Sequence, residues 1–275
     1  MRLPFAKMHG LGNDFIVVDA TAQAIVFLPG VVERLSNRRT GIGFDQLLVL
    51  EQALQDGVDF GYRIFNADGT EVGQCGNGAR CIGQFIQRQG LSDKRAWVLQ
   101  TKTAKMEVES MPSGQFRVHL DKPVLSWLDM SNRLDGDPVL RVGDREYLFF
   151  AVNVGNPHIV IEVNTIEEQR LLAAGKWVNN SPFFSEGANV GFVKFVDRGH
   201  VELQVYERGA GLTLACGSGA CAAAVMAVSQ KDMGDRVIVD QKGGRLVVRY
   251  AEKEGIFFME GPAQHVYSGF IDIPC

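Results

Sequence analysis

Hydrophobic and polar residues alternate along several short stretches of the chain. Period-two alternation that is rich in β-branched and aromatic residues and bounded by Gly, Asp and Asn is typical of half-buried strands. The pattern predicts strands at residues 117–120, 147–154, 158–163, 190–196, 200–206, 236–240, 245–250 and 256–259.

Two segments depart from this alternation and predict helices, at residues 79–87 and 220–229. The second reads ACAAAVMAVS and is apolar on nearly every side. A helix that is apolar all round must be buried all round. We therefore expect strands to wrap around each helix, and Gly90 and Gly234 are plausible terminators.

The two predicted helices follow similar glycine-rich motifs. CGNGARC begins at Cys75 and CGSGAC at Cys216, an offset of 141 positions (216 − 75). Further pairs recur in the same order at offsets of 141 to 143, namely Asn66 with Glu207, Asn13 with Asn156, and Gln46 with Asn189. Such a series indicates an internal duplication.

The duplication predicts an α+β fold of two domains related by a pseudo-twofold axis. Each domain is expected to be a mostly antiparallel curled sheet or barrel around a central helix. We predict one domain from residues 1–119 with 264–275, and the other from residues 120–263, joined near residues 123–141. Two packed domains with a cleft between them commonly hold a small molecule.

Composition and charge exclude several other classes of function. The chain of 275 residues has a net charge of −4 and 46% hydrophobic residues, and it has no Lys/Arg block. Nucleic acid is therefore not expected as a partner. We expect no membrane association, because no apolar run approaches the roughly 20 residues that span a bilayer. Without a signal-peptide pattern, the cytoplasm is the expected location, where thiols stay reduced.

The duplicated motif predicts a specific chemistry. The first N–H groups of a helix lack internal partners and, with the helix dipole, bind anions such as a carboxylate. The same position favours a thiolate over a thiol. If the pseudo-twofold axis puts Cys75 and Cys216 on opposite sides of a bound carboxylate, one can remove an α-proton and the other can return a proton to the opposite face. This hypothesis describes a cofactor-independent amino-acid racemase or epimerase.

Other interpretations of these motifs are weaker. Cys81 and Cys221 fall inside the predicted helices and are expected to be small hydrophobic residues. No metal is expected, because the cysteine spacing is not Cys-x2-Cys and no His follows at ligand distance. CGNGAR lacks the Lys-Ser/Thr pair of a phosphate-binding P-loop.

Motifs along the whole chain are similar to those of one known family. They are MHGLGNDF (Met8–Phe15), GFDQ (Gly43–Gln46), RIFNADGTEV (Arg63–Val72), QCGNGARC (Gln74–Cys81), GNPH (Gly155–His158), ANVGF (Ala188–Phe192), VYERGAG (Val205–Gly211) and ACGSGAC (Ala215–Cys221). With these motifs the chain closely resembles the diaminopimelate epimerases of lysine and peptidoglycan precursor synthesis.

The resemblance implies conversion of LL- to meso-2,6-diaminopimelate by two bases without pyridoxal phosphate or another cofactor. It implies that Cys75 and Cys216 are catalytic, that His158 and Glu207 modulate their pKa values, and that Tyr267 lies in a homodimer interface. It also implies a set of substrate-binding residues, comprising Asn13, Gln46, Asn66, Gly76, Asn77, Asn156, Asn189, Glu207, Arg208, Gly217 and Ser218.

The chemistry of the residues fits such a substrate, which carries charge at both ends. Arg208 suits a distant carboxylate, and the amide oxygens and Glu207 suit ammonium groups. His158 could equally be a loop histidine without a catalytic role. Leu212 departs from the family, which usually has Glu there. Two alternatives remain open: an enzyme like proline or hydroxyproline racemase, and a non-catalytic amino-acid-binding protein of the same fold.

Overall fold

The computed structural model describes residues 1–125 and 139–273. The chain divides into two compact units, Met1–His119 with Glu260–Cys275, and Leu120–Met259. The return to the first unit thus falls at residue 260, four positions before the predicted 264. At this position the Glu260 carboxylate accepts hydrogen bonds from Arg117 of the same unit, at 2.8 Å from Nε. Most of the predicted junction, residues 126–138, lies outside the described residues.

The first unit begins with a β-hairpin and has one helix between β2 and β3 and another after β5. Its elements are β1 (Arg2–Gly10), β2 (Asn13–Ala20), α1 (Pro29–Ser36), β3 (Gln46–Gln52), β4 (Phe60–Asn66), β5 (Glu71–Val72), α2 (Gly76–Gln89), β6 (Ala96–Gln100), β7 (Lys105–Ser110), β8 (Phe116–His119) and, later in the chain, β19 (Gln264–Asp272).

The second unit repeats this order of elements after a separate two-stranded hairpin. Its elements are β9 (Val139–Val142), β10 (Arg145–Leu148), β11 (Phe150–Asn153), β12 (Pro157–Glu162), α3 (Glu168–Asn180), β13 (Asn189–Asp197), β14 (His200–Glu207), β15 (Gly211–Leu212), α4 (Gly217–Lys231), β16 (Arg236–Gln241), β17 (Gly244–Ala251), a 3-10 turn (Glu252–Glu254) and β18 (Ile256–Gly261).

Strand pairing has the same pattern in both units. In the first, β1–β2, β3–β4 and β6–β7 are antiparallel, whereas β2–β3 and β4–β6 are parallel. In the second, β11–β12, β13–β14 and β16–β17 are antiparallel, whereas β12–β13 and β14–β16 are parallel. A parallel pair needs a crossover, and a helix lies in each one. The predicted duplication and mixed α+β fold are thereby confirmed.

Each sheet is covered by helices on both faces. Leu47 and Val49 of β3 belong to an apolar cluster that includes Val32 of α1. Side chains alternate between faces along a strand, so Leu48 lies on the other face, near Gly78 of α2. In the second unit α4 packs against β11, β12, β13, β14, β16 and β17. Burial of its alanines on all sides agrees with the predicted central helix.

Several element boundaries differ from the predictions. The central helices begin three residues earlier than expected, because Cys75 and Cys216 cap them. Gly90 ends α2 in the left-handed region as predicted, but Asp232 (φ 51°), not Gly234, does so for α4. The predicted strand at 147–154 is two strands, β10 and β11. The break separates β10, which pairs with β9, from β11, which pairs with β12, and Phe149 between them is buried in the cluster beside α3.

No helix within residues 1–125 and 139–273 is both long enough and apolar enough to cross a bilayer.

Candidate active site

Cys75 occupies the N-cap of α2. Its backbone is extended (φ −154°, ψ 102°), and its Sγ accepts a hydrogen bond from the Gly78 N–H at 3.2 Å. A sulfur in this position interacts favourably with the helix dipole when it is ionised. Gly78 must lack a side chain, because a Cβ there would lie 2.4 Å from the Tyr62 hydroxyl. The motif therefore places a half-buried thiol at the start of a buried helix.

Cys216 occupies the N-cap of α4 in the same way. Its Sγ accepts from the Gly219 N–H at 3.4 Å and lies 3.5 Å from the Ser218 hydroxyl. Its backbone N–H donates to the Gln241 side-chain oxygen at 2.7 Å. Gln241, at the end of β16, is a supporting residue that the sequence analysis missed, since no spacing rule links it to the motif.

The backbone N–H groups next to each cysteine are available to a ligand. In the described part of the chain, no acceptor bonds the N–H groups of Gly76 and Asn77, nor those of Gly217 and Ser218. N–H groups at a helix N-terminus point outward along the axis. Each unit therefore has a cysteine beside a pair of donors suited to a carboxylate.

Polar residues at strand ends extend the site of the first unit. Gln46 begins β3 directly opposite Asn66, the last residue of β4. The Gln46 amide nitrogen donates to the Asn66 side-chain oxygen at 2.9 Å. Among the described residues, the buried Gln46 side-chain oxygen has no hydrogen-bond partner, so it can accept from a ligand ammonium group.

Asn13 and Asn77 belong to one hydrogen-bonded chain. The Asn77 amide nitrogen lies 3.3 Å from the Asn13 side-chain oxygen and donates to it, and the Asn13 amide nitrogen donates to Asp45 at 2.9 Å. Arg80 donates in turn to the Asn77 side-chain oxygen at 3.0 Å. Arg80 does not stand out in the sequence, because its helical segment also carries the polar residues Gln84 and Gln87.

In the second unit His158 lies in β12 and links three predicted site residues. Its Nε2 is 3.0 Å from the Ser218 hydroxyl, 3.1 Å from the Asn156 side-chain oxygen and 3.3 Å from the Asn189 amide nitrogen. Asn189 is itself oriented, because its oxygen accepts the Arg208 backbone N–H at 2.9 Å. His158 thus lies in a strand rather than in a loop, and its effect on the cysteine stays a prediction.

Burial controls protonation around Cys216. It lowers the pKa of His158 to about 3, with a smaller effect from Arg208, so the imidazole is neutral. Burial also raises the pKa of the Cys216 thiol well above its usual value, and the charge of Glu207 adds to this effect. Hydrogen bonds from the Ser218 hydroxyl and the Gly219 N–H lower the pKa of Cys216 and so oppose these two effects. Cys216 is consequently a thiol at neutral pH. Burial likewise raises the pKa of Cys81, inside α2, to about 12.

Glu207 and Arg208 end β14 beside this group. Glu207 accepts a hydrogen bond from the Thr213 hydroxyl at 2.6 Å. Arg208 is exposed, and its guanidinium donates to the Glu186 carbonyl at 2.5 Å. Leu212, in β15, pairs with Tyr206 of β14. It packs against the apolar cluster beside α3, a place that suits its apolar side chain.

The predicted site residues thus form two groups, one in each unit. The first holds Asn13, Gln46, Asn66, Cys75, Gly76 and Asn77, and the second holds Asn156, His158, Asn189, Glu207, Arg208, Cys216, Gly217 and Ser218. Their action on one substrate stays a prediction. Tyr267 lies on β19, is 45% exposed and packs edge-on against Phe5; its role in a dimer also stays a prediction.

Solved structures of known proteins share this fold over nearly the whole chain. A probable proline racemase from Agrobacterium radiobacter K84 matches with a TM-score of 0.73 at 13% identity, covering 99% of this chain and 93% of its own. A hydroxyproline epimerase from Agrobacterium vitis has the same score and identity, at 98% and 92% coverage. A Bacillus anthracis phenazine biosynthesis protein of the PhzF family matches at 0.69 and 16% identity, with 99% and 100% coverage.

The match to a family model over most of the chain assigns it to the isomerases of the racemase and epimerase type, and the duplicated fold agrees with this class. The family model for diaminopimelate epimerase matches residues 5–126 and 150–266. The chain belongs to the diaminopimelate epimerase family, as its motifs indicated.

Proposed function

We propose that the protein converts LL-2,6-diaminopimelate to the meso isomer without an organic cofactor, with Cys75 and Cys216 as the two bases. One observation carries the proposal. In this member of the diaminopimelate epimerase family, a cysteine sulfur caps the central helix of each unit. Beside each sulfur lie two backbone N–H groups that bond no acceptor in the described residues.

The proton steps follow from these groups. A thiolate removes the α-proton, and the electron pair of the C–H bond delocalises onto the α-carboxylate. The N–H groups of Gly76, Asn77, Gly217 and Ser218 stabilise this developing charge, and one such donor is typically worth about 3–4 kcal/mol. The opposite thiol then protonates the carbon from the other face, which inverts the centre and leaves the proton count of the pair unchanged.

The two cysteines differ in their burial, Cys216 being buried and Cys75 half-buried. Burial and the Glu207 charge raise the pKa of Cys216 well above its usual value. We infer that Cys216 is the acid in the LL-to-meso direction and that Cys75, half-buried and capped by the Gly78 N–H, is the base. His158, being neutral, supports Cys216 through Ser218 rather than through a charge.

The residues around the second cysteine favour a long substrate with charges at both ends. The exposed Arg208 guanidinium can bind a distant carboxylate, and the Glu207 carboxylate can accept from an ammonium group. Proline has one carboxylate and one ring nitrogen and would leave Arg208 without a ligand. This difference favours diaminopimelate over the substrate of the structurally similar proline racemase.

Turnover assays with LL-diaminopimelate, L-proline and trans-4-hydroxy-L-proline test the proposal. We expect turnover of diaminopimelate alone, lost in Cys75→Ala and Cys216→Ala. Cys221→Ala is the matched control, because it removes a buried thiol from the interior of α4 rather than from its N-cap. Turnover of proline alone, full activity in either capping-cysteine variant, or binding of diaminopimelate without turnover would each contradict the proposal.

A further inference from the structure

Arg80 is a fully buried arginine in the first turns of α2, with an exposed fraction of 0%. Its Nη2 donates to the Asn77 side-chain oxygen at 3.0 Å, and its Nε donates to the Pro262 carbonyl at 3.2 Å. Burying a guanidinium is costly unless it is well hydrogen-bonded, so such a residue needs a compensating role.

The β1–β2 hairpin leaves space for this guanidinium. A Cβ built on Gly10, the last residue of β1, would lie 3.2 Å from Arg80 Nη2 and 3.4 Å from the Asn77 carbonyl oxygen. Gly10 pairs with Asn13 across a two-residue turn whose residues Leu11 and Gly12 both have positive φ. The turn, the glycine and the arginine therefore form one packed arrangement.

Arg80 fixes which atoms of the loop remain available. It occupies the Asn77 oxygen, and the Asn77 amide nitrogen is engaged by Asn13, so the side chain, only 6% exposed, has little left to offer a ligand. What remains is the backbone, where the N–H groups of Gly76 and Asn77 bond no acceptor in the described residues. The main chain of Asn77 is thus the part left to contact a ligand.

The second unit supports the corresponding residue differently. The position 141 residues after Arg80 is Cys221, a buried thiol, and Ser218, which corresponds to Asn77, is contacted by His158. In each unit, therefore, one buried basic side chain contacts the residue two positions after the cysteine: Arg80 contacts Asn77, and His158 contacts Ser218. Only the first unit uses a group that carries a permanent charge.

We propose that Arg80 is a positioning residue for the carboxylate-binding segment of the first unit. It turns the Asn77 side chain inward, so that the Gly76 and Asn77 N–H groups face the ligand, and it orients the Asn13 amide through Asn77. Its charge also favours the ionised form of the neighbouring Cys75. The ligand class, an α-amino carboxylate, rests on the proposed function; the effect on Cys75 does not.

Arg80→Met, Arg80→Lys and Gly10→Ala test this assignment, with Arg88→Met as the control, because Arg88 is an exposed arginine of the same helix. We expect kcat/KM for LL-diaminopimelate to fall roughly ten- to a hundredfold in Arg80→Met, with a higher KM. Arg80→Lys should not rescue it, since an ammonium cannot reproduce the guanidinium fork. Gly10→Ala, which crowds the guanidinium without removing it, should give a smaller loss and remains informative if Arg80→Met does not fold.

A second readout is independent of turnover. In a Cys216→Ser background, the alkylation rate of Cys75 by iodoacetamide is followed by mass spectrometry from pH 6 to 10. We expect its midpoint to move to higher pH in Arg80→Met and not in Arg88→Met. If the unmodified protein fails to turn over diaminopimelate, the proposed function fails, while the alkylation shift still decides the role of Arg80. A profile equal to that of Arg88→Met, or full rescue of kcat/KM by Arg80→Lys, overturns the positioning role.

Discussion

Gly78→Ala tests how tightly α2 packs beneath Cys75. The added Cβ would lie 2.4 Å from the Tyr62 hydroxyl oxygen and 3.2 Å from both δ-methyl groups of Leu48. Optimal separations of non-bonded heavy atoms are about 3.5–4.0 Å, so helix and strand must move apart by about 1 Å. Tyr62 and Leu48 are both completely buried, which leaves little room for that movement.

The expected loss of stability can be bounded. Overpacking a core costs about 1–3 kcal/mol, while replacing Gly by Ala within a helix gains up to about 1 kcal/mol. These ranges leave a net loss of about 0–3 kcal/mol; at its centre, about 1–2 kcal/mol, we expect a fall in Tm of roughly 3–6 °C. Activity should fall as well, because the Gly78 N–H is the one that donates to Cys75 Sγ.

Thermal melts of Gly78→Ala and of matched control variants test this packing. Gly30→Ala makes the same substitution in α1, where a Cβ would meet nothing within 4 Å, and should stabilise by about 0.4–1 kcal/mol. Tyr62→Phe removes the clashing oxygen, so in the double variant with Gly78→Ala the loss should be at least about 1 kcal/mol smaller than the sum of the single losses. A rise in Tm for Gly78→Ala, or additive losses, would refute the packing argument.

Three further predictions concern charge, protonation and assembly. The hydrogen bond from Arg245 is the main cause that lowers the pKa of Asp240 to about 2, so Asp240→Asn should reduce the free energy of unfolding at pH 7. The difference in unfolding free energy between variant and unmodified protein should shrink as pH falls from about 4 to about 2, and a pH-independent difference would contradict this. Burial lowers the pKa of His158 to about 3; its NMR ring signals should not titrate between pH 5 and 8, and because the unfolded histidine protonates near pH 6.5, stability should decline below that pH in a way that His158→Gln removes. Tyr267→Asp should convert the expected homodimer to a monomer in analytical ultracentrifugation, because the exposed ring lies beside exposed Val266 on β19; a monomeric unmodified protein, or a variant that still dimerises, would contradict the interface.

The central helices and the duplication could be predicted because both leave local signals. Alanine-rich residues 220–229 must be buried whatever surrounds them, and the two cysteine motifs recur at a fixed offset. Parallel pairing of β2 with β3 leaves no such signal, since it joins strands separated by α1. The same limit applies to α1 and α3, which pack on the outer faces of the sheets and were not predicted.

The site residues likewise differ in how far the sequence could predict them. Cys75, Cys216 and the residues beside them lie within the repeated motifs, so their place ahead of the central helices follows from the sequence, whereas their N-cap geometry is seen only in the structure. Arg80 and Gln241 could not be assigned, because their roles depend on contacts with Pro262 and with the Cys216 N–H, which lie 182 and 25 positions away. The protonation of His158 likewise depends on its surroundings, since burial, with a smaller effect from Arg208, lowers its pKa.

Deuterium incorporation during the first turnovers tests the two-base mechanism most directly. LL-diaminopimelate is incubated with the protein in deuterated water, and both isomers are analysed at low conversion. We predict one solvent deuterium at the inverted carbon of the meso product and none in the remaining LL substrate, because the base that removes the proton is not the acid that replaces it. Meso product formed without deuterium, or LL substrate exchanged as fast as meso product appears, would contradict a mechanism with two separate bases.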